Sequence, residues 1–193
     1  MNPMANIKEI KYEKHERDYL SYMELECLRN ACKTLREKAM VEVFYSTGCR
    51  AAEFLTLTKD DVDFATGKVH LFGKGKKHRT SYLNPKAEYA LRKYLLSRSD
   101  QSNKLFVQDR APYNGMSSTR VKQVLGALGE AAQIKNHLHP HTLRHTMATH
   151  ALWRGMPLTD IQHILGHANI NTTMQYLHIN NDDVQQQHAR CII

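Results

Sequence analysis

One region of this chain, from Val62 to Leu83, departs from the helical spacing of apolar residues found on either side of it. This departure limits the folds that the chain can adopt. On both sides of this region apolar residues recur every three or four positions, which is typical of helices buried on one face. Inside it, short β-like runs are separated by turns, one of which is Ala65-Thr66-Gly67; the runs are Val62 to Phe64, Lys68 to Phe72 and Arg79 to Leu83. The sequence therefore predicts an α+β fold that is mostly α, with one small three-stranded antiparallel sheet.

Helix boundaries can be read from capping residues. Ser21 followed by Glu24 forms a capping box, which starts a helix near Ser21. A second helix runs from about Leu35 to a stop at Gly48, and Asn84-Pro85 is an N-cap followed by a proline in the first turn. Further helices are expected near residues 118–132, 140–153, 158–165 and 172–178, with a last one in the tail.

The chain divides into one domain and two flanking segments. Residues 1–19 contain a charged run without an apolar period and are interpreted as a linker-like lead-in. Residues 20–179 hold the periodic segments and form the domain. Residues 180–193 are a tail with a polar glutamine run.

The composition favours a polyanionic partner. Lysine and arginine number 27 against 19 acidic residues, giving a formal charge of +8 and a pI near 9.3. A basic protein without such a partner remains open on charge alone. The four cysteines include no C-x-x-C pair and no signal peptide opens the chain, so we expect reduced thiols and a cytoplasmic protein, nucleoid-associated if bacterial. The apolar stretch 39–45 is too short to span a bilayer, so no membrane partner is expected.

The first of four chemically suggestive segments is Thr47-Gly48-Cys49-Arg50-Ala51-Ala52-Glu53. A glycine ends one helix, Arg50 opens the next, and Glu53 follows one turn later. This spacing allows Glu53 to orient the Arg50 guanidinium. An ordinary surface ion pair is the alternative interpretation.

The second segment, residues 73–79, is a turn with two glycines and several cationic or ionisable side chains. We expect DNA contacts from this turn, and its candidate residues are Lys74, Lys76, Lys77, His78 and Arg79. A solvated basic turn is an equally good interpretation. A phosphate-binding P-loop is excluded, because neither the glycine spacing nor the following element fits.

The third segment, His139-Pro140-His141-Thr142-Leu143-Arg144-His145, begins a helix at Pro140, and a helix N-terminus favours anions. His141 and Arg144 are three residues apart and share a face. His141 and His145 also have the H-x-x-x-H spacing of zinc proteases, but Thr142 replaces the glutamate that those sites need, so a metal site is not expected. Capping or surface histidines are the other alternative.

The fourth segment runs from Leu165 through a polar turn to His178. A helix stops at Gly166, His167 follows, and a short helix then carries Tyr176. Taken alone, Tyr176 is one of nine tyrosines and is consistent with an ordinary packing residue.

Together and in this order, the four segments resemble the motifs of the tyrosine recombinases, the family of phage lambda integrase, the Xer-type enzymes and transposon integrases. Residues 47–55 are similar to the first arginine motif, 73–75 to the hairpin lysine motif, 141–145 to the H-x-x-R motif and 165–167 to the following histidine motif. Tyr176, nine residues after His167, matches the nucleophile. The resemblance covers nearly the whole chain and implies the helical catalytic fold of that family.

The resemblance also implies a reaction. Tyr176 would attack a DNA phosphodiester, forming a 3′-phosphotyrosyl bond and freeing a 5′-hydroxyl, and a second 5′-hydroxyl would reverse the attack without ATP, metal or other cofactor. Arg50 and Arg144 would hold the phosphate, and Lys74 would protonate the leaving oxygen, although Lys76 or Lys77 lies close enough in sequence to replace it.

The remaining matches have supporting roles. His141 would assist deprotonation of the tyrosine, His167 would donate a hydrogen bond to the phosphate, and Glu53 would orient Arg50 or His141. Double-stranded DNA is the expected partner. The resemblance further implies a homotetramer on DNA, joined through the C-terminal tail.

Three other functions stay open on sequence grounds. A type IB topoisomerase uses the same tyrosine chemistry without exchanging strands, a DNA-binding module needs only the basic charge, and a zinc hydrolase would need bound metal. Members of the resembled family usually carry an N-terminal DNA-gripping domain, and here only the linker-like segment precedes the motifs. We favour a fragment of a longer protein over a compact recombinase.

Overall fold

The computed structural model describes residues 19–73, 78–167, 169 and 173. The predicted lead-in up to residue 18, the hairpin tip at 74–77, the predicted helix around Tyr176 apart from residue 173, and the tail lie outside the described residues. The described helices are α1 Tyr22–Ala31, α2 Leu35–Thr47, α3 Ala51–Thr56, α4 Pro85–Leu96, α5 Ser118–Ala131, α6 Pro140–Trp153 and α7 Leu158–Leu165. The strands are β1 Val62–Asp63, β2 Lys68–Phe72 and β3 His78–Tyr82. The predicted fold class is confirmed.

The predicted caps set the helix ends. Ser21 Oγ accepts the backbone N–H of Glu24 at 3.2 Å, and a Glu24 carboxylate oxygen accepts the backbone N–H of Ser21 at 2.8 Å. Asn84 caps α4 ahead of Pro85. α2 ends at Gly48, whose φ of 56° is in the left-handed region that a residue without a Cβ adopts at low cost.

The three strands form a sheet in the order β1-β2-β3, with both pairs antiparallel. β1 is shorter than the predicted run because Asp63 already starts the turn, its carboxylate accepting the backbone N–H of Ala65 at 2.9 Å. β3 begins one residue earlier than predicted, where His78 pairs with Phe72. Val69 and Leu71 of β2 are buried in the larger core cluster, so the sheet packs against the helices.

Two clusters of buried side chains hold the elements together. In the larger one, the Phe54 ring stacks on Phe44 at 4.2 Å and on Phe106 at 4.5 Å between ring centroids, joining α3 to α2 and to the segment after α4. In the smaller one, Met147 and Ala148 of α6 pack with Ile161 and Leu165 of α7. A Cβ placed at Gly48, where α2 ends, would touch both Met147 of α6 and Leu165 of α7, so the C-terminal ends of α2 and α7 lie close together beside α6.

Within the described ranges, no helix is long and apolar enough to cross a membrane.

Candidate active site

Arg50 and Glu53 form the pair that the sequence predicts. Arg50 is the N-cap residue of α3, and its side chain is 46% exposed. The Glu53 carboxylate accepts the Arg50 backbone N–H at 2.7 Å and its Nη1 at 3.1 Å. The Glu53 carboxylate thus holds both the backbone N–H and one guanidinium nitrogen of Arg50, while part of the guanidinium faces solvent.

Glu53 is a buried carboxylate with two arginine partners. Its side chain is 2% exposed, and Arg79 donates from Nη2 to Oε2 at 2.7 Å and from Nε to Oε1 at 3.3 Å. Burial alone acts to raise the pKa of Glu53, but hydrogen bonds from Arg79 and from the Arg50 backbone outweigh it, so the pKa lies below its usual value. Glu53 is therefore a stable anion at neutral pH.

Arg79 points inward, which differs from the DNA contact that the sequence suggests for it. Its side chain is 10% exposed. Besides Glu53, it donates to the carbonyl of Ile164 and, from Nη2 at 3.4 Å, to the carbonyl of Gly48. The side chain lies beneath Gly166, where an added Cβ would come within 2.6 Å of Arg79 Cδ. The placement makes Arg79 a link between β3, α3 and α7.

Arg144 is the most buried of the site arginines. It lies on α6, is 2% exposed, and donates from Nη1 to the Gly48 carbonyl at 2.6 Å and from Nη2 to the Leu165 carbonyl at 2.7 Å. The nearby Nε2 of His167 lies 2.8 Å from Nη2. Arg144 therefore joins the ends of α2 and α7.

The arginines converge on helix C-termini. The end of α2 offers the carbonyl of Gly48, and the end of α7 offers those of residues 164 to 166, the last accepting Arg50 Nη2 at 3.4 Å. A helix C-terminus carries partial negative charge and unpaired carbonyls, so it stabilises cations. Two helix ends and one carboxylate thus concentrate three guanidinium groups in one place.

His167 is held as a neutral ring. Arginine cannot accept a hydrogen bond, so Nε2 of His167 accepts from Arg144, and Nδ1 carries the hydrogen that it donates to Thr173 Oγ1 at 2.8 Å. Burial, followed by the charges of the arginines, lowers the pKa of His167 to about 4. In this arrangement the hydrogen expected to reach a phosphate is directed to Thr173.

His141 and His145 are in direct contact on α6. Their Nε2 atoms are 2.7 Å apart, so one ring donates and the other accepts. The zinc alternative depended on this pair, and within the part of the chain that the structure describes no group of three or more metal-ligating side chains occurs. The contact of His145 with His141 was not predicted, although their spacing of four residues on a helix allows it.

Two clefts flank these residues. The first, of about 560 Å³, is lined by Arg50, His141 and Arg144 and also by Lys122 and His137, which sequence reasoning missed. The second, of about 710 Å³, lies between the sheet and α7, and His78 lines it together with Arg79 and His167. No local signal singled out Lys122 or His137, because each joins the site only through packing of distant segments.

The remaining predicted residues, Lys74, Lys76, Lys77 and Tyr176, lie outside the described residues. Their roles stay predictions. Arg50, Glu53, His141, Arg144 and His167, by contrast, are brought together in one region of the fold.

Comparison with known proteins identifies the class. A family model described as the phage integrase family matches residues 18–183. The chain therefore belongs to the phage integrase family, the tyrosine recombinases.

The similar proteins include Xer recombinases. The tyrosine recombinase XerC of Oceanobacillus iheyensis is 33% identical over 163 residues, which cover 80% of this chain and 53% of that protein. XerC of Bacillus subtilis is 32% identical over 194 residues, covering 94% of this chain and 63% of the relative. The chain thus spans between half and two thirds of the length of these curated relatives.

Solved structures show the same fold. The crystal structure of XerA recombinase superposes with a TM-score of 0.81 at 32% identity, covering 93% of this chain and 66% of the other. The catalytic domain of bacteriophage HP1 integrase gives a TM-score of 0.61 at 23% identity, with 92% of this chain and 96% of that domain covered. The second likeness concerns the fold alone.

Proposed function

We propose that this chain is the catalytic domain of a site-specific DNA recombinase that cleaves and rejoins strands through a 3′-phosphotyrosyl intermediate. The observation that carries the proposal is the placement of Arg50, His141 and Arg144 around one cleft, in a chain of the tyrosine recombinase family. The relatives named XerC and XerA recombinase support the same activity.

The cleft suits a phosphoryl transition state. Charge gathers on the non-bridging oxygens of the phosphate during the attack, and a guanidinium meets such oxygens with a planar set of donors. Arg50 supplies an exposed guanidinium fixed by Glu53, while Arg144 supplies a buried one fixed by helix-end carbonyls. Both are held in place before substrate arrives, so little reorganisation is needed during the reaction.

Proton transfer completes the proposed step. The Tyr176 oxygen forms a bond to phosphorus, the bond from phosphorus to the 5′-oxygen breaks, and the phenolic proton passes to His141. Because a free tyrosine has a pKa of about 10, it needs such a base at neutral pH. Lys74 gives the 5′-oxygen a proton, with Lys76 or Lys77 as the alternative donors. A 5′-hydroxyl from another strand reverses every step, so the bond energy is conserved.

The proposed substrate is a double-stranded DNA recombination site, bound by a homotetramer joined through the tail at 180–193. A solved structure similar in fold is described as XerH bound to a difH substrate before cleavage, which supports DNA as the partner. The charge of +8 supports it as well.

The experiment that tests the proposal traps the covalent intermediate. The chain is incubated with a pool of nicked duplexes of randomised sequence, in which the short fragment that carries the freed 5′-hydroxyl ends at the nick and diffuses away, so that religation is prevented. We expect a covalent protein–DNA adduct on denaturing gels, and sequencing of the trapped DNA then defines the site. Tyr176→Phe should give no adduct. Failure of the unaltered chain to form one, or its persistence in Tyr176→Phe, contradicts the proposal.

A further inference from the structure

The cleft beside the two arginines has basic groups that the proposed chemistry leaves unused. Lys122 of α5 and His137 of the connection before α6 line the same cleft as Arg50 and Arg144. Among the described residues that line it, none is acidic. Several cationic or N–H-bearing side chains therefore surround a cleft of about 560 Å³ without a carboxylate among them.

Lys122 and His137 have no partner within the described part of the protein. Both are exposed, and neither forms a hydrogen bond or ion pair with any residue that the structure describes. Arg50 and Arg144, which share the cleft, carry charge of the same sign as Lys122, and like charges repel. Such a group of cations is stabilised when an anion enters the cleft.

The position of His137 depends on a close approach to α5. A Cβ added at Gly126 would lie 2.9 Å from His137 Cε1, and one at Gly129 would lie 2.8 Å from the Cβ of the buried residue Leu138. The two glycines lie one turn apart on α5, so the connection packs directly against the helix backbone. This contact sets the His137 ring at the edge of the cleft.

His139 lies at the same edge of the cleft. Its Nδ1 accepts the backbone N–H of Thr142 at 3.2 Å, as the N-cap of α6. The neutral imidazole consequently carries its hydrogen on Nε2. His139 also lines the cleft, so this side contains one ammonium and two imidazoles.

We propose that Lys122 and His137 bind a second backbone phosphate of DNA, next to the phosphate held by Arg50 and Arg144. A DNA strand presents phosphates at regular spacing, so a strand whose scissile phosphate lies against the arginines carries a neighbouring one along the same cleft. Phosphate contacts of this kind fix the register of a protein on the duplex without reading the bases. The inference rests on the proposed function for the identity of the first phosphate.

Salt dependence of DNA binding tests the site. Binding of a fluorescent duplex pool of randomised sequence is measured for the Tyr176→Phe protein, which cannot cleave, with and without Lys122→Ala. We expect about a fivefold to tenfold weaker Kd at low salt, and a slope of log Kd against log salt that is smaller by about one.

Lys135→Ala is the matched control. Lys135 is an exposed lysine on the same connection as His137 but does not line the cleft, so its removal changes the net charge equally. We expect a clearly smaller loss of affinity from Lys135→Ala. Equal effects of Lys122→Ala and Lys135→Ala would overturn the proposal, since the contribution of Lys122 would then be general charge alone.

Gly126→Ala tests the geometry. The added Cβ meets only the far end of the exposed His137 side chain, and alanine is a better helix former than glycine, so the variant should keep its melting temperature. The His137 ring must move, and we expect Gly126→Ala to weaken DNA binding as much as His137→Ala does. The double variant should show no further loss. Additive losses would mean that Gly126 does not act through His137, and the assigned geometry would be wrong.

The covalent-adduct assay separates this inference from the proposed function. In the protein that retains Tyr176, Lys122→Ala should raise the DNA concentration for half-maximal adduct formation while leaving the maximal rate within about twofold. The binding measurements do not need Tyr176 chemistry. A chain that forms no adduct but loses affinity at Lys122 would therefore refute the cleavage proposal alone.

Discussion

Arg79 and Glu53 form a two-point ion pair, with Nη2 to Oε2 at 2.7 Å and Nε to Oε1 at 3.3 Å. The same carboxylate holds Arg50, so one buried anion connects the strand that follows the basic hairpin to the start of α3. We therefore expect a displacement of the Arg79 side chain to shift Glu53 and, with it, the Arg50 guanidinium. This relationship gives the first prediction.

Arg79→Lys should lower the rate of adduct formation by about tenfold to a hundredfold. Lysine keeps the charge but cannot make the two-point contact with Glu53 while also reaching the helix-end carbonyls, and a displacement of about 1 Å at a phosphate clamp has effects of this size. The measurement is single-turnover adduct formation at saturating DNA, beside duplex affinity. Arg92→Lys, which alters the exposed pair of Arg92 with Glu88, is the control. A loss of affinity without a change in rate would refute a positioning role for Arg79.

The two clamp arginines should differ in their effect on stability but agree in their effect on cleavage. Removing a transition-state donor costs about 10²–10³-fold in rate, so Arg50→Ala and Arg144→Ala should each reduce adduct formation at least that much. DNA retention should stay largely intact, because many phosphate contacts contribute to it.

Arg50 and Arg144 should differ in their contribution to the free energy of unfolding, because Arg144 is buried and Arg50 is partly exposed. Arg144→Ala removes the donor to the carbonyl of Leu165 and the shorter of two hydrogen bonds to the carbonyl of Gly48, which keeps only the 3.4 Å contact with Arg79 Nη2. The loss should lower the free energy of unfolding by about 2–4 kcal/mol. Arg50 is 46% exposed, and its removal should cost less than about 1 kcal/mol. Chemical denaturation measures both values, and equal costs would contradict the different placements.

Protonation of His167 should destabilise the folded protein. An unfolded imidazole has a pKa near 6.5, whereas the folded ring has one of about 4, so below about pH 6.5 the unfolded state binds the proton more readily. The stabilisation of the folded state by neutral His167 is therefore fully present above about pH 6.5, and it is lost as the pH falls toward 4. When the pH is lowered from about 7.5 to about 5.5, the titration of His167 should lower the free energy of unfolding by about 1 kcal/mol.

Unfolding in urea across this pH range provides the measurement. The free energy of unfolding should fall less steeply with decreasing pH in His167→Gln than in the unaltered chain. His163→Gln, at an exposed position of α7, is the control and should retain the original slope. Identical slopes for all three proteins would show that His167 is not held neutral by its surroundings.

Gly48 should tolerate substitution less well than Gly155. Both have positive φ, 56° and 86°, so alanine at either position carries a left-handed backbone cost of about 1 kcal/mol. A Cβ at Gly155 meets nothing within 4 Å, while one at Gly48 overlaps Met147 Cε and lies 2.9 Å from Leu165 Cδ2. We expect Gly48→Ala to cost at least about 2 kcal/mol more in thermal unfolding and to slow adduct formation. Comparable melting temperatures for the two variants would contradict this packing.

Local sequence signals predicted most of the fold. The capping box at Ser21, the stop at Gly48 and the Asn84-Pro85 start each depend on residues within one turn of one another, and each marks the expected boundary. The three β runs were likewise recognised from turns and alternation, with ends wrong by a residue. The predicted end of β1 was wrong because the Asp63 carboxylate accepts the backbone N–H of Ala65 in the turn, and the start of β3 was wrong because His78 pairs with Phe72.

For the site, too, local motifs predicted the residues, whereas contacts between distant segments could not be predicted. Sequence by itself singled out Arg50, Glu53, His141, Arg144 and His167, because their motifs are local and occur in one order. It could not tell that Arg79 turns inward to Glu53, 26 residues away, or that Lys122 and His137 share a cleft with Arg50. These relationships come from the packing of α5, β3 and α7 around the ends of α2 and α6. Ion pairing and cleft formation between distant segments depend on tertiary distance, which a local pattern does not contain.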